Sequence, residues 1–310
     1  MRAATDVWRP TLGLTDAEAA ALVRQDRIDI LIDLAMHTRH NRLLMFARKP
    51  APVQATYLAY SGTTGLRAMD YRLTDPYLDP PGSDESLFSE KTLRLPHTFW
   101  CYQPPVHAPP VAPIPSLAAG HITFGSLNQF AKVTRYALAA WREILMRVPH
   151  SRLILYAAEG AHRRHVKDQF AAAGVDPTRV EFLNRVSTAQ YFAQYNRIDV
   201  ALDTFPYPGG TTTCDALWMG VPVVALPGAT PISRGGLSVL ANVGLPELAV
   251  NSIESYIDTA VALAHSSQRL AELRASMRAR MLASPLMNAP QFARDVEAAY
   301  QTMWRAACTH

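Results

Sequence analysis

Cysteine is scarce in this 310-residue chain: Cys101, Cys214 and Cys308 are an odd number with no paired spacing. That pattern disfavours a disulfide framework or a zinc ribbon and makes a reducing, cytoplasmic setting the simplest expectation. No run approaches the ~20 apolar residues of a membrane helix. The opening Met1–Pro10 lacks the apolar stretch of a signal peptide. Lysine is rarer still, with 4 against 26 arginines, under a net charge of +4. No basic tract is interleaved with aromatics. The densest run, Arg269 to Arg280, sets Arg269, Arg274, Arg278 and Arg280 among Leu and Ala and reads as the solvated face of a helix. A nucleic acid or membrane partner is therefore not expected, whereas a modest positive balance suits a small anionic ligand.

Several chemical fingerprints are missing too. No GxGxxG follows a strand and no GxxxxGK[ST] occurs, so the dinucleotide and Walker signatures are absent. No two aspartates are separated by a single residue, so the DxD metal clamp of many sugar transferases is lacking. His37/His40 and His162/His165 have i,i+3 spacing but no third ligand nearby, and neither a metal nor a cofactor is expected.

What remains is a chain that is 49% apolar and 18% charged, long enough for two domains with a large core. A proline-rich stretch divides it: Gln103–Pro115 holds six prolines in thirteen residues and reads as a semi-rigid connector. Before it, Asp16–Gln25 reads as a helix with a capping box between Thr15 and Glu18, Ile28–Leu34 as a buried strand, Asn41–Arg48 as a helix and Val53–Ala59 as a strand. Beyond it, strands are predicted at Ile122–Ser126, Arg152–Tyr156, Val180–Leu183, Asp199–Leu202 and Val221–Leu226. Helices are predicted at Arg135–Val148, Ala161–Ala173, Ala189–Tyr195 and Thr213–Met219. Alternation of this kind implies an α/β fold with parallel sheets and right-handed crossovers. From Ile253 onward the pattern is helical, ending in Gln291–Trp304. The implied domains are 1–102, a linker at 103–119, 120–284, and a C-terminal helix in 285–310 that packs back on the first lobe. The first part carries fewer strands than a doubly wound domain usually has.

The strongest local signal is Ile198–Gly220, IDVALDTFPYPGGTTTCDALWMG. A buried strand runs into an irregular segment, then Gly209-Gly210, then Thr211–Thr213 opening a helix. Free amides at a helix start, approached closely through glycine, suit a diphosphate. Asp215 would repel a phosphate and instead suits a sugar hydroxyl. Equally, Thr212 and Asp215 read as a plain helix cap. In Phe124–Lys132, FGSLNQFAK, the rare Lys132 can neutralise charge on a leaving phosphate while Gln129 donates beside it, or can simply be a solvated loop lysine. His37, Thr38 and Arg39 follow the first strand and either face a ligand or serve structure. Tyr57–Gly65 is a strand end and glycine-bearing turn, lining a cleft or merely looping. Tyr191 either stacks on a base or belongs to the core.

Together these segments resemble the catalytic region of the protein O-linked N-acetylglucosamine transferases, glycosyltransferase family 41. The resemblance rests on DILIDLAMHTRHNRLLMFARKPAPVQATYLAYSGTTGLRAMDYRLTDPY, FGSLNQFAKVT, DVALDTFPYPGGTTTCDALWMGVPVV and the closing SPLMN…FARDVEAAYQTMW, in that order, from about Leu14 to Trp304. It implies a GT-B fold of two Rossmann-like lobes, the N-terminal one incomplete here, and an inverting, metal-independent transfer of N-acetylglucosamine from UDP-GlcNAc to Ser or Thr of a polypeptide. By that resemblance Lys132 and Gln129 fall on the diphosphate, with Thr211 and Thr212 beside it. Asp215 falls on the ribose and Val186 on a backbone contact to uracil. Arg39 falls on a family lysine near the phosphates with His37 and Thr38 beside it, and Leu58 and Ala59 lie near the sugar. Lys132 and Arg39 would stabilise the leaving group; no general base is identified. Tyr191 stands where a uracil-stacking histidine is expected, and Pro208 replaces an asparagine. Met36, Ala59 and Ser61 replace residues that are usually Gly, Gly and Pro. The family's tetratricopeptide repeats and DFxxHP-type motif would precede Met1, which implies a fragment, a mis-assigned start or an inactivated relative. The alternatives are a non-catalytic UDP-sugar-binding scaffold and a transferase using UDP-glucose.

Overall fold

The computed structural model describes residues 4–309. The chain forms two compact units: one holds residues up to Asp75, Pro80–Pro96 and residues from Arg294 onward, the other Pro76–Asp79 and His97–Ala293.

In the first unit, helix α1 (Asp16–Gln25) starts at the expected capping box: Thr15 accepts from the Glu18 amide while Glu18 accepts from the Thr15 amide. Strand β1 (Ile30–Asp33), helix α2 (Leu43–Phe46) and strands β2 (Val53–Thr56), β3 (Tyr71–Thr74) and β4 (Lys91–Arg94) follow. They build a four-stranded, wholly parallel sheet in the order β1-β2-β3-β4. The helix expected over Asn41–Arg48 shrinks to one turn. His40 and Lys49 at its two ends have φ of 62° and 44°, and Pro50 disfavours helical backbone at Lys49. β3 and β4 were not named from sequence, because YRLT and KTLR carry no continuous apolar run. Arg72 of β3 is nonetheless buried, its guanidinium 3.5 Å from the centre of the Phe88 ring.

The second unit opens with a one-turn helix α3 (Ser116–Ala119) and continues as β5 (Thr123–Ser126), α4 (Arg135–Arg147), β6 (Arg152–Tyr156), α5 (Ala161–Ala172), β7 (Val180–Leu183), α6 (Thr188–Gln194), β8 (Val200–Leu202), α7 (Thr211–Trp218), β9 (Val223–Val224), α8 (Gly235–Asn242), α9 (Ile253–Ala264) and α10 (Ser267–Ala283). Helix α11 (Ala289–Cys308) closes the chain. The five strands are parallel in the order β7-β6-β5-β8-β9. From β5 the chain builds outward through β6 and β7 on one side, then through β8 and β9 on the other. The carboxyl ends of β5 and β8 therefore flank the point where strand order reverses, where doubly wound sheets open a crevice. The core beneath it includes Trp141, Ile144, Leu153, Val200 and Leu217, each with no measurable exposure.

Two expectations change. The proline-rich stretch is a strap on the second unit: Asn196 accepts from the Ala112 amide at 3.0 Å and donates to the Pro110 carbonyl at 3.0 Å. The chain accordingly leaves the first unit between Pro96 and His97, and returns to it between Ala293 and Arg294. The arginine run of α10 is also not uniformly solvated. Arg274 is 4% exposed and donates to the carbonyls of Ala112 at 2.7 Å, Ile198 at 2.8 Å and Tyr195 at 3.1 Å. Burial draws its pKa down to about 10. Arg278 donates to Trp218 and Pro109. A planar guanidinium with several donors suits carbonyls left open where an irregular strap cannot pair with itself.

Candidate active site

Directly after β8 comes Asp203, 2% exposed, whose Oδ1 accepts from the amides of Gly209 at 2.7 Å and Thr204 at 2.9 Å and from Asn128 Nδ2 at 3.1 Å. Thr213 Oγ1 lies 3.4 Å from Oδ2. Burial pushes this carboxyl up to about 6, opposed by the Gly209 amide and by the charge of Lys132. The loop between β8 and α7 is pinned elsewhere as well: Thr204 Oγ1 donates to the Tyr207 carbonyl at 2.7 Å and Thr134 Oγ1 to that of Phe205 at 2.9 Å. From the other flank of the crevice, past β5, Lys132 Nζ donates to the Pro208 carbonyl at 2.9 Å and sits 4.1 Å from the centre of the Tyr207 ring. Burial lowers its pKa, and the Asp203 charge opposes that.

Helix α7 begins at Thr211, two residues earlier than expected, with Gly210 as its cap and no capping side chain. The reading of Thr212 and Asp215 as a plain cap is thereby overturned: among the described residues no side chain caps the first-turn amides. Gly209 is required by space, since a Cβ there would lie 2.5 Å from Thr213 Oγ1 and 3.0 Å from Asn128 Oδ1. Asp215, 7% exposed, accepts from the Tyr102 hydroxyl at 2.7 Å. Burial raises its carboxyl to about 6, and the Tyr102 and Tyr191 hydroxyls oppose the shift. Tyr191 shares a hydrogen bond of 2.8 Å with the buried Tyr195, which donates to the Thr212 carbonyl at 3.3 Å. The second unit thus gathers Lys132, Gly209, Gly210, Thr211, Thr212, Thr213 and Asp215 at one strand-end crevice. Such a corner offers a cation, open helix amides and a buried hydroxyl acceptor, the set a nucleoside diphosphate needs.

The Glycosyl transferase family 41 description matches residues 13–104 and 114–296. Over 307 residues the chain is 40% identical to a probable UDP-N-acetylglucosamine–peptide N-acetylglucosaminyltransferase SPINDLY of Petunia hybrida, covering 97% of this chain and 33% of that protein. The chain belongs to glycosyl transferase family 41. It spans about a third of the length of the curated relatives it matches. A solved mutant O-GlcNAc transferase of Thermobaculum terrenum superposes on this family 41 chain with a TM-score of 0.94 at 42% identity, over 99% of this chain and 59% of that one. A sucrose-phosphate synthase from Thermosynechococcus elongatus shares the fold alone, with a TM-score of 0.57 at 15% identity, over 87% of this chain and 81% of that one. The fold is of the GT-B type, with Rossmann-like parallel sheets.

Other residues singled out from the family 41 sequence fall as follows. Gln129 is exposed beside Lys132, and Val186 is 37% exposed between β7 and α6. Tyr191 is half-buried, its ring edge-on to Tyr156, Phe192 and Tyr195. In the first unit, His37, Thr38 and Arg39 follow β1, while Leu58 and Ala59 follow the adjacent β2. His37 Nε2 lies 3.0 Å from the Thr63 carbonyl, and the Thr38 hydroxyl donates to the Ala35 carbonyl at 2.6 Å. Arg39 is exposed, with no hydrogen bond or ion pair among the described residues. Met36 has φ of 40° and Leu58 of 77°, the left-handed backbone that glycine adopts most readily. Among the described residues no group of three His, Cys, Asp or Glu is placed to hold a metal, and no helix is long and apolar enough to cross a membrane. His162 packs against Phe130 and His165 bonds Gln169.

Sequence reasoning missed Asp203, Asn128, Tyr102 and Tyr195. Asp203 was visible as the only acid directly after a buried strand just before the glycine pair. Tyr102 carried no local signal, being 113 residues from its partner.

Proposed function

We propose that this chain is an inverting, metal-independent glycosyltransferase that moves N-acetylglucosamine from UDP-GlcNAc to Ser or Thr hydroxyls of a polypeptide. The observation that carries the reading is the half-buried Lys132 at the same crevice as the uncapped start of α7 and the buried Asp215. Membership of family 41, and relatives named for UDP-N-acetylglucosamine and peptide, support the donor and acceptor.

The acceptor oxygen attacks the anomeric carbon as the bond from that carbon to the β-phosphate oxygen breaks. The electron pair leaves with UDP, and the acceptor proton passes to a base that this chain does not identify. Negative charge grows on the departing phosphate, so an ammonium group and open helix amides held beside it lower the barrier, by about 3 kcal/mol for a well-placed donor. Lys132 and the Thr211–Thr213 amides take that role. Asp215 accepts a ribose hydroxyl, and Tyr191 offers an aromatic face to the base. Unpaired Cys101, Cys214 and Cys308 support a cytoplasmic setting.

Transfer is measured by mass spectrometry on a peptide library, with UDP-GlcNAc and UDP-glucose in competition. Lys132→Ala is expected to cut the rate about a hundredfold at unchanged thermal stability. UDP binding without transfer from either donor would replace the reading with a nucleotide-binding scaffold. Equal transfer by Lys132→Ala and the parent would remove the mechanism.

A further inference from the structure

We propose that Asp203 is the positioning residue of the diphosphate corner: its buried carboxylate fixes the Pro208–Gly209 peptide unit, and through it both Lys132 and the first turn of α7. The role rests on the nucleotide-sugar reading above and assigns work to a residue outside the expected binding set.

One peptide plane is gripped at both ends. Its N–H, on Gly209, donates to Asp203 Oδ1 at 2.7 Å, and its C=O, on Pro208, accepts from Lys132 Nζ at 2.9 Å. Because the plane is rigid, an anion at one end and a cation at the other hold its dipole in the favourable sense. Lys132 makes no ion pair with Asp203 itself; the peptide stands between them. The ammonium therefore keeps its charge for a ligand while its place is dictated by the loop. The same carboxylate reaches α7 through Thr213 Oγ1, 3.4 Å from Oδ2, and reaches the end of β5 through Asn128 Nδ2 at 3.1 Å. Gly209 has no room for a side chain against Thr213, so the gripped plane sits directly on the helix start.

A purely structural acceptor would not need to be ionised. A carboxylate at 2% exposure with no cation bonded to it is costly to keep, and an asparagine would satisfy the Gly209 and Thr204 amides without that cost. The retained charge is explained by what it aligns.

The test compares the full chain with Asp203→Asn and Asn128→Ala, titrating each with UDP by calorimetry and with uridine by NMR. Uridine reaches the base and ribose subsites but not the diphosphate corner. Asp203→Asn is expected to lose about tenfold or more in UDP affinity, with uridine affinity within about twofold. Asn128→Ala, which withdraws one donor and keeps the charge, should show a smaller loss with the same selectivity. Amide exchange of the 207–213 peptide should rise in Asp203→Asn while the rest of the chain is unchanged. Equal losses for UDP and uridine, or none for either, overturn the positioning role and leave the proposed function standing. Should Asp203→Asn fail to fold, an Asn128→Ala loss shared by UDP and uridine overturns it instead. A parent chain that binds neither ligand overturns the proposed function and this role with it.

Discussion

Tyr102→Phe removes a single oxygen and is expected to shift the pH dependence of nucleotide binding. The hydroxyl donates to Asp215 Oδ1 at 2.7 Å, and the carboxyl it serves is 7% exposed and already raised to about 6 by burial. A hydrogen bond to a charged acceptor is worth about 1.5–3 kcal/mol, all of it to the ionised form. Its loss should raise the Asp215 pKa further by about 1–2 units, at 1.36 kcal/mol per unit. Ionised Asp215 is the stronger acceptor for a ribose hydroxyl, so UDP affinity in the parent should fall as pH drops through about 6. In Tyr102→Phe that fall should begin near neutrality, with affinity at pH 7 down several-fold and recovering by about pH 9. Stability carries the opposite sign. A carboxyl whose folded pKa lies above its unfolded value contributes stability below about pH 4 and loses it as pH rises through about 6. The variant should therefore match the parent in acid and unfold more easily by about 1.5–3 kcal/mol at pH 8. The other titratable groups around Asp215 are Tyr191, Tyr195 and Cys214, all pushed upward by burial and neutral across this range. Calorimetric titration with UDP from pH 5 to 9 reads the binding limb, and urea unfolding reads the stability. Coincident acid limbs in parent and variant would refute the reasoning.

Two further substitutions probe the corner and the strap. Gly209→Ala places a methyl 2.5 Å from Thr213 Oγ1 and should displace the loop, weakening UDP about tenfold while far-ultraviolet dichroism is unchanged. Arg274→Ala abandons three carbonyls in a buried setting and should cost about 3 kcal/mol or more in urea unfolding, with UDP affinity per folded molecule preserved.

How legible the chain was followed the range of the interaction concerned. Thr15 and Glu18 sit three residues apart, so a capping box read from spacing appears intact. Strands Arg152–Tyr156 and Val180–Leu183 match because each is a short segment rich in apolar residues and bounded by turn residues. The one-turn α2 was over-read because the limiting fact is left-handed backbone at His40 and Lys49, which periodicity does not register. Arg274 was misread because helical spacing marks it as one of an arginine face, while its partners, Ala112, Tyr195 and Ile198, lie far away in sequence. At the site, Lys132, Gly209 and Thr211–Thr213 were visible as a rare amine and a glycine–threonine corner.

By itself the sequence determined the alternation of strand and helix, the parallel α/β architecture and the motifs that place the chain in family 41, because these rest on local periodicity and on short runs of residue types. Tertiary structure alone decided that the proline stretch is a strap, that Asp215 is held by Tyr102, and that Asp203 and Lys132 grip one peptide from opposite ends. Each of those depends on groups brought together by sheet order. Where order reverses between β5 and β8, residues some 75 positions apart become neighbours, a fact that no window along the chain contains.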